Sequence, residues 1–163
     1  MIKMEKEGYL GKTVTLNDEA KLGEIKVIET LDKIEVGADL GKIIDIKPIY
    51  FDLKKFDIRS DAASELDKIV KVMNENPTMV IELGSHTDCR GTASSNLSLS
   101  DKRAKSSAEY VKKNISKPER IYGKGYGESM PVNDCKCEGA VKSSCSEDEH
   151  QQNRRTEFKI IKM

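Results

Sequence analysis

The residues best placed to do chemistry lie between Gly84 and Arg103, in the run G-S-H-T-D-C-R-G-T-A-S-S-N-L-S-L-S-D-K-R. It carries one carboxylate, Asp88, and ends on one guanidinium, Arg103. A carboxylate accepts from an ammonium, and an arginine fork grips a carboxylate through two parallel hydrogen bonds, so the pair suits a zwitterion such as an amino-acid head. The plainer alternative is that the two side chains pair with each other or stay solvated, which contributes little.

The neighbouring elements place both residues. Met79 to Leu83 alternates and is β-prone, so a strand is expected to stop at Gly84, with Asp88 in the loop just beyond it. A helix is expected from about Ser94 to Asn114. At about 100° per residue, Leu97, Ala104, Ala108 and Val111 share one arc of it, while Asn96, Leu99, Ser100 and Arg103 share the next. The first arc packs into the core and the second borders the loop. Around these, Ile43 to Phe51 reads as a strand, with Pro48 marking an edge or bulge. Ser60 caps a helix that buries Ala62, Leu66, Ile69 and Met73 and ends near Asn76-Pro77. Ile121 to Tyr126 is a short Gly-rich strand, Gly127 to Cys145 a polar loop, Glu147 to Asn153 one or two helical turns, and Arg155 to Met163 the last strand. Strand, helix, strand, helix and two strands predict an α+β sandwich, with helices on one face of a mixed sheet.

The loop and the following N-L-S-L-S-D-K-R-A-K-S (Asn96 to Ser106) resemble the peptidoglycan-binding domain shared by the OmpA C-terminal region and the peptidoglycan-associated lipoprotein. Three more pieces agree in the same order: I-Y-F-D-L-K-K-F-D-I (Ile49 to Ile58), G-K-G-Y-G-E-S-M-P-V (Gly123 to Val132) and N-R-R-T-E-F (Asn153 to Phe158). The resemblance implies that Asp88 holds the ammonium and Arg103 the carboxylate at the D-centre of meso-diaminopimelate in the peptidoglycan stem peptide. It places Thr87, Asn96, Leu99 and Ser100 beside them, and Asp52, Leu53 and Lys54 in a loop whose backbone amides contact the ligand. Asn153 and Arg154 are implied to support the loop from behind. Many relatives have phenylalanine and aspartate where this chain has Leu53 and Lys54, so a side-chain role is not carried over there.

Four cysteines, Cys89, Cys135, Cys137 and Cys145, allow three pairings in an oxidising compartment. The resemblance favours Cys137 with Cys145, since related domains often close this loop with a disulfide, and leaves Cys89 with Cys135. A rival use is a zinc site from Cys135, Cys137, Cys145 and His150, although C-x-C is not a usual zinc-knuckle spacing. His86 and Cys89 also invite comparison with a base and thiol nucleophile, but neighbouring residues at a strand end point in different directions. No catalytic group, metal or cofactor is expected. The aromatics Tyr9, Tyr50, Phe51 and Phe56 are read as core, with a protein-scaffold role as the competing use.

Composition narrows the class. Of 163 residues 34% are charged, 28 basic against 28 acidic, so no basic field exists for nucleic acid. No long apolar run or signal-like start is visible. The strand-like stretches Gly8 to Leu16 and Gly23 to Ile28 have too few apolar residues for a core of their own. Residues 1–42 are therefore expected to be a linker or the tail of an upstream β-domain, of the kind similar sequences of Bacteroidota-like outer-membrane proteins carry, and to be dispensable for the pocket. Residues 43–163 are expected to form the OmpA-like domain, with the chain as the C-terminal portion of a larger protein. The expected role is a non-catalytic anchor on the periplasmic side of the outer membrane, with peptidoglycan and outer-membrane-associated proteins as partners.

Overall fold

Asp39 explains why the sheet begins differently from the sequence expectation. In the computed structural model, which describes residues 1–15, 30–52, 55–137 and 143–163, the Asp39 carboxylate accepts from the backbone N–H groups of Gly41 (3.0 Å) and Phe158 (2.9 Å). It thereby caps a short helix α1 (Leu40–Ile43), with Leu40 fully buried. The strand expected over Ile43 to Phe51 does not form. Gly37 and Ala38 exchange backbone hydrogen bonds with Ile160 instead (2.8 and 2.9 Å), Asp45 turns the chain at a φ of 52°, and Pro48 has no N–H to offer a ladder.

The chain divides into two compact units, Met1–Glu35 and Val36–Met163. Residues 36–42 thus group with the second unit. In the first unit, β1 (Ile2–Met4) and β2 (Lys12–Val14) pair antiparallel, and Leu10 and Ile34 are its buried apolar residues among those described. The stretch Gly23 to Ile28 lies outside the described residues.

The second unit is α+β. Helix α2 (Ser60–Glu75) buries Ala62, Leu66, Ile69, Val72 and Met73, one stripe at helical spacing. Ser60 is its first residue and not its cap; Arg59 occupies the cap position without a side-chain capping bond. The sheet has the order β4-β3-β5, from β3 (Val80–His86), β4 (Ile121–Gly127) and β5 (Thr156–Lys162). β3 runs parallel to β4 and antiparallel to β5. Helix α3 (Ala93–Lys112) makes the crossover that a parallel pair requires. A short helix α4 (Glu147–Asn153), closed by a Ser146–Glu149 capping box, precedes β5. Among the described residues no helix is long and apolar enough to cross a membrane.

Helix α3 packs on β4 through small residues. A Cβ on Gly123 would lie 2.3 Å from the Ala104 carbonyl oxygen, and one on Gly125 2.2 Å from the Asp101 nitrogen, so only glycine permits this approach. Ala104, Ser107, Ala108 and Val111 are buried, but Leu97, expected on the same arc, is 52% exposed. Ser100 bridges the elements, donating to the Leu97 carbonyl and accepting from the Gly127 N–H, both at 2.9 Å. Buried Arg120 donates through Nη1 to the carbonyls of Met73, Asn76 and Met79, tying the end of α2 to the start of β3. The aromatics read as core are elsewhere: Tyr50 and Phe56 are exposed, and Tyr9 and Phe51 half-buried.

Candidate functional site

The strand that carries Asp88 out of the core is buried almost to its end, and so is the loop that follows. Ser85, His86, Thr87, Asp88 and Cys89 are all less than a tenth exposed. Gly91, at a φ of 114°, turns the chain back, and a Thr92–Ser95 capping box starts α3. This turn puts Asp88 and Arg103 on one cavity of about 560 Å³, together with Thr87, Asn96 and Leu99 from the expected set.

Asp88 and Arg103 are held by different groups. The Asp88 carboxylate accepts from the Arg90 backbone N–H (3.0 Å), from Arg90 Nη2 (2.7 Å) and from Arg154 Nη1. Glu147 pairs with the same two arginines, at 2.8 Å from Arg90 Nη1 and beside Arg154 Nη2, so the four charges close a ring. Burial pushes the Asp88 carboxyl up, but the hydrogen bonds from Arg90 and Arg154 outweigh it and hold it below the usual carboxylate range. Hydrogen bonds from Arg90 and Arg154 hold Glu147 down at about 2. Arg103 instead donates to the backbone carbonyls of Lys55 (3.2 Å) and Asp52 (3.4 Å), and its guanidinium lies 4.9 Å from the centre of the Phe51 ring. Burial, then the nearby Arg154, lower its pKa. Among the described residues Arg90, Arg154 and Arg155 each hold a carboxylate, and Arg103 holds none.

Other expected residues take separate roles. The Asn96 amide donates to the Asp88 carbonyl (3.2 Å) and to the Glu128 carboxylate, bracing the loop from within. Ser100 does not line the cavity, since its hydroxyl is used between α3 and β4. Asp52 presents its carbonyl to Arg103, while its carboxylate pairs with Arg59. Leu53 and Lys54 lie outside the described residues. Arg154, expected behind the loop, touches Asp88 directly. Asn153 accepts from the Val132 N–H (2.8 Å) and donates to Asn133 (2.7 Å), both in the loop after β4. Arg90, Glu147, Gln151, Arg155 and Phe51 join the cavity without having been expected. Arg90, two residues after Asp88, had a local signal, because aspartate readily accepts from the backbone two residues on.

The cysteine pairing differs from the expectation. Cys89 is joined to Cys137 and Cys135 to Cys145, with Cα separations of 5.4 and 5.9 Å. Cys135 is the buried member of the C-x-C pair, and Cys137 is the one bonded to the Asp88 loop. The bridges use the thiols that a zinc site or a cysteine nucleophile would need.

The OmpA family pattern matches residues 50–144. The chain is 35% identical over 113 residues to photosystem I P700 chlorophyll a apoprotein A2 of Gloeobacter violaceus, covering 69% of this chain and 12% of that protein. It is 32% identical over 91 residues to outer membrane porin F of Pseudomonas fluorescens, covering 56% of this chain and 27% of that one. With the peptidoglycan-associated lipoprotein of Rhizobium meliloti it shares 32% identity over 87 residues, 53% of this chain and 49% of the relative. The chain thus spans half or less of the length of these three curated relatives. In fold it is similar to the crystal structure of the peptidoglycan-associated lipoprotein from Burkholderia pseudomallei, with a TM-score of 0.56 at 23% identity, covering 70% of this chain and 90% of that one. The C-terminal domain of Helicobacter pylori MotB gives a TM-score of 0.57 at 19% identity, covering 71% and 84%.

Proposed function

The chain belongs to the OmpA family, and from that premise we propose that it is a non-catalytic anchor tying an outer-membrane-associated assembly to peptidoglycan, on the periplasmic side. The ligand is the free D-centre of meso-diaminopimelate in the stem peptide. Its carboxylate goes to Arg103 and its ammonium to Asp88, with Thr87, Asn96 and Leu99 around them. Asp52 adjoins the site through its carbonyl, which accepts from Arg103. The observation that carries this reading is Arg103: a half-buried guanidinium in a 560 Å³ cavity, held by two carbonyls and an aromatic face but by no described carboxylate. Four arginines and two carboxylates line that cavity, a surplus of positive charge suited to an anionic group. A relative named as a peptidoglycan-associated lipoprotein and a fold neighbour titled as a cell wall anchor support the same role.

The test is selectivity. Diaminopimelate carries a carboxylate at its distal centre and lysine in the same stem position does not, so a lysine-type muropeptide leaves Arg103 unmatched. A charge-assisted hydrogen bond contributes roughly 1.5 to 3 kcal/mol, which is about tenfold to a hundredfold in affinity. Calorimetry with matched muropeptides is expected to show that preference and to show Arg103→Ala losing most of it. Equal affinity of the native protein for both types overturns the clamp.

A further inference from the structure

Asp88 and Arg103 are not the only polar groups facing the cavity. Both ring nitrogens of His86, the Thr87 hydroxyl and Nη1 of Arg155 are buried without a hydrogen-bond partner, and all three residues line it. The His86 side chain is 1% exposed, stacked on Tyr126 at 5.0 Å between ring centres, with Glu157 3.7 Å from its Nε2. Leaving a buried polar group unpaired costs roughly 1 to 3 kcal/mol, so three beside one cavity call for a partner that the chain does not supply. Arg155 also borders a second cavity of about 540 Å³, lined by Lys42 and Lys47. Ile49, Gln151, Arg154, Arg155 and Thr156 border both cavities, so the second adjoins the first on the Arg155 side, and together they offer a groove leading away from Asp88 and Arg103.

We infer that His86, Thr87 and Arg155 form an amide-reading subsite, so that the groove recognises diaminopimelate within a peptide in preference to the free diamino acid. The inference rests on the proposed function and deepens it. A secondary amide offers one acceptor and one donor. Arg155 Nη1 and the Thr87 hydroxyl can donate to its carbonyl, and the unprotonated nitrogen of a neutral imidazole can accept from its N–H. Burial, then the Arg155 charge, lower the His86 pKa to about 4, which keeps the ring neutral at neutral pH. Three methylenes separate the distal zwitterion of diaminopimelate from its proximal centre, where the peptide amides begin. A ligand clamped at Asp88 and Arg103 therefore extends along the groove toward Arg155, with Lys42 and Lys47 further on to face the stem's carboxylates.

Calorimetry of the intact chain with free meso-diaminopimelate and with the tripeptide L-Ala-γ-D-Glu-meso-diaminopimelate tests this. The tripeptide is expected to bind about tenfold tighter or more. Thr87→Val removes only the hydroxyl and Arg155→Lys removes the fork while keeping the charge, and each is expected to shrink the tripeptide-to-free ratio by about threefold to tenfold. Thr87→Val is expected to leave the melting temperature unchanged or slightly raised, because the lost hydroxyl has no partner in the free protein. Equal affinity for the two ligands overturns the subsite and leaves the clamp standing. A tripeptide preference that survives both substitutions also overturns it. Binding of neither ligand removes the clamp itself, and the subsite with it.

Discussion

Arg90 folds back onto Asp88, two residues before it, donating from its backbone N–H to Oδ1 at 3.0 Å and from Nη2 to Oδ2 at 2.7 Å. The carboxylate proposed to meet a ligand ammonium is therefore already neutralised, and it is only 6% exposed. The guanidinium donors all fall on Oδ2, so a ligand ammonium competes with two arginine charges for this carboxylate. Arg90 is the more exposed of the two, with 43% of its side chain accessible against 26% for Arg154.

Arg90→Ala is accordingly expected to tighten binding of diaminopimelate-type muropeptides, by about threefold to tenfold if one charge-assisted contact no longer competes. Calorimetry decides the sign. Weaker binding in the variant would mean that Arg90 orients Asp88 for the ligand and does not compete with it.

The Cys89–Cys137 bridge ties the residue after Asp88 to the loop following β4. In the chain-entropy account a separation of 48 residues contributes about 4 kcal/mol and one of 10 about 3 kcal/mol, before native strain. Cys89→Ser with Cys137→Ser is expected to lower the denaturant midpoint and weaken muropeptide binding. Tryptic cleavage after Lys136 separates Cys135 from Cys137, so a non-reducing digest identifies the pairing by mass. A peptide joining Cys89 to Cys135 contradicts the connectivity described.

Protonation of His86 gives stability a defined pH dependence. Its folded pKa is about 4, below the ordinary value of 6.5, so between these values the unfolded chain binds more protons than the folded one. Stability is full above about pH 6.5 and falls as pH drops toward 4, by up to about 3 kcal/mol in total. Asp88 acts in the same direction in a lower window. Its depressed pKa gives a contribution that is full above the ordinary carboxylate value and is lost as pH falls below it. Urea titrations at pH 7 and pH 4.5 are expected to separate the native protein from His86→Phe, which keeps the ring against Tyr126 but cannot titrate. An equal drop in both proteins would assign the loss to other groups.

Where the sequence pattern is local, it predicts the structure closely. The apolar stripe of α2 and the strand–loop–helix around Asp88 follow from spacing alone, and they place Asp88, Asn96, Leu99 and Arg103 at one cavity. Contacts between distant segments were not legible. Glu147 reaches Arg90 across 57 positions, and no periodicity announces an ion pair of that separation. Ser100 has the spacing of a cavity residue, yet the glycines of β4 let the strand come close enough to take its hydroxyl. The pattern of Ile43 to Phe51 is as β-prone as that of β3. What overrides it is Asp39, whose bonds to Gly41 and Phe158 start a helix at the sheet edge, a tertiary effect that propensity does not contain.

That edge also fixes where the chain can be shortened. Ala38 and Gly37 bond to Ile160 of β5, Asp39 accepts from Phe158, and Leu40 is fully buried, whereas the first compact unit ends at Glu35. A fragment of residues 36–163 is expected to keep its melting temperature and muropeptide affinity. A fragment of residues 44–163 removes the cap, the edge bonds and Leu40. Burial of one leucine contributes about 1.5 to 3 kcal/mol, and each lost bond that leaves a buried N–H unpaired costs a further 1 to 3 kcal/mol. It should therefore melt well below the longer fragment, by ten degrees or more for a domain of this size. Asp39→Ala in the intact second unit gives the intermediate case, losing the carboxylate's two bonds while Leu40 stays. Equal melting of the 36–163 and 44–163 fragments would show that α1 only rests on β5, and that the expected boundary after Lys42 is the better one.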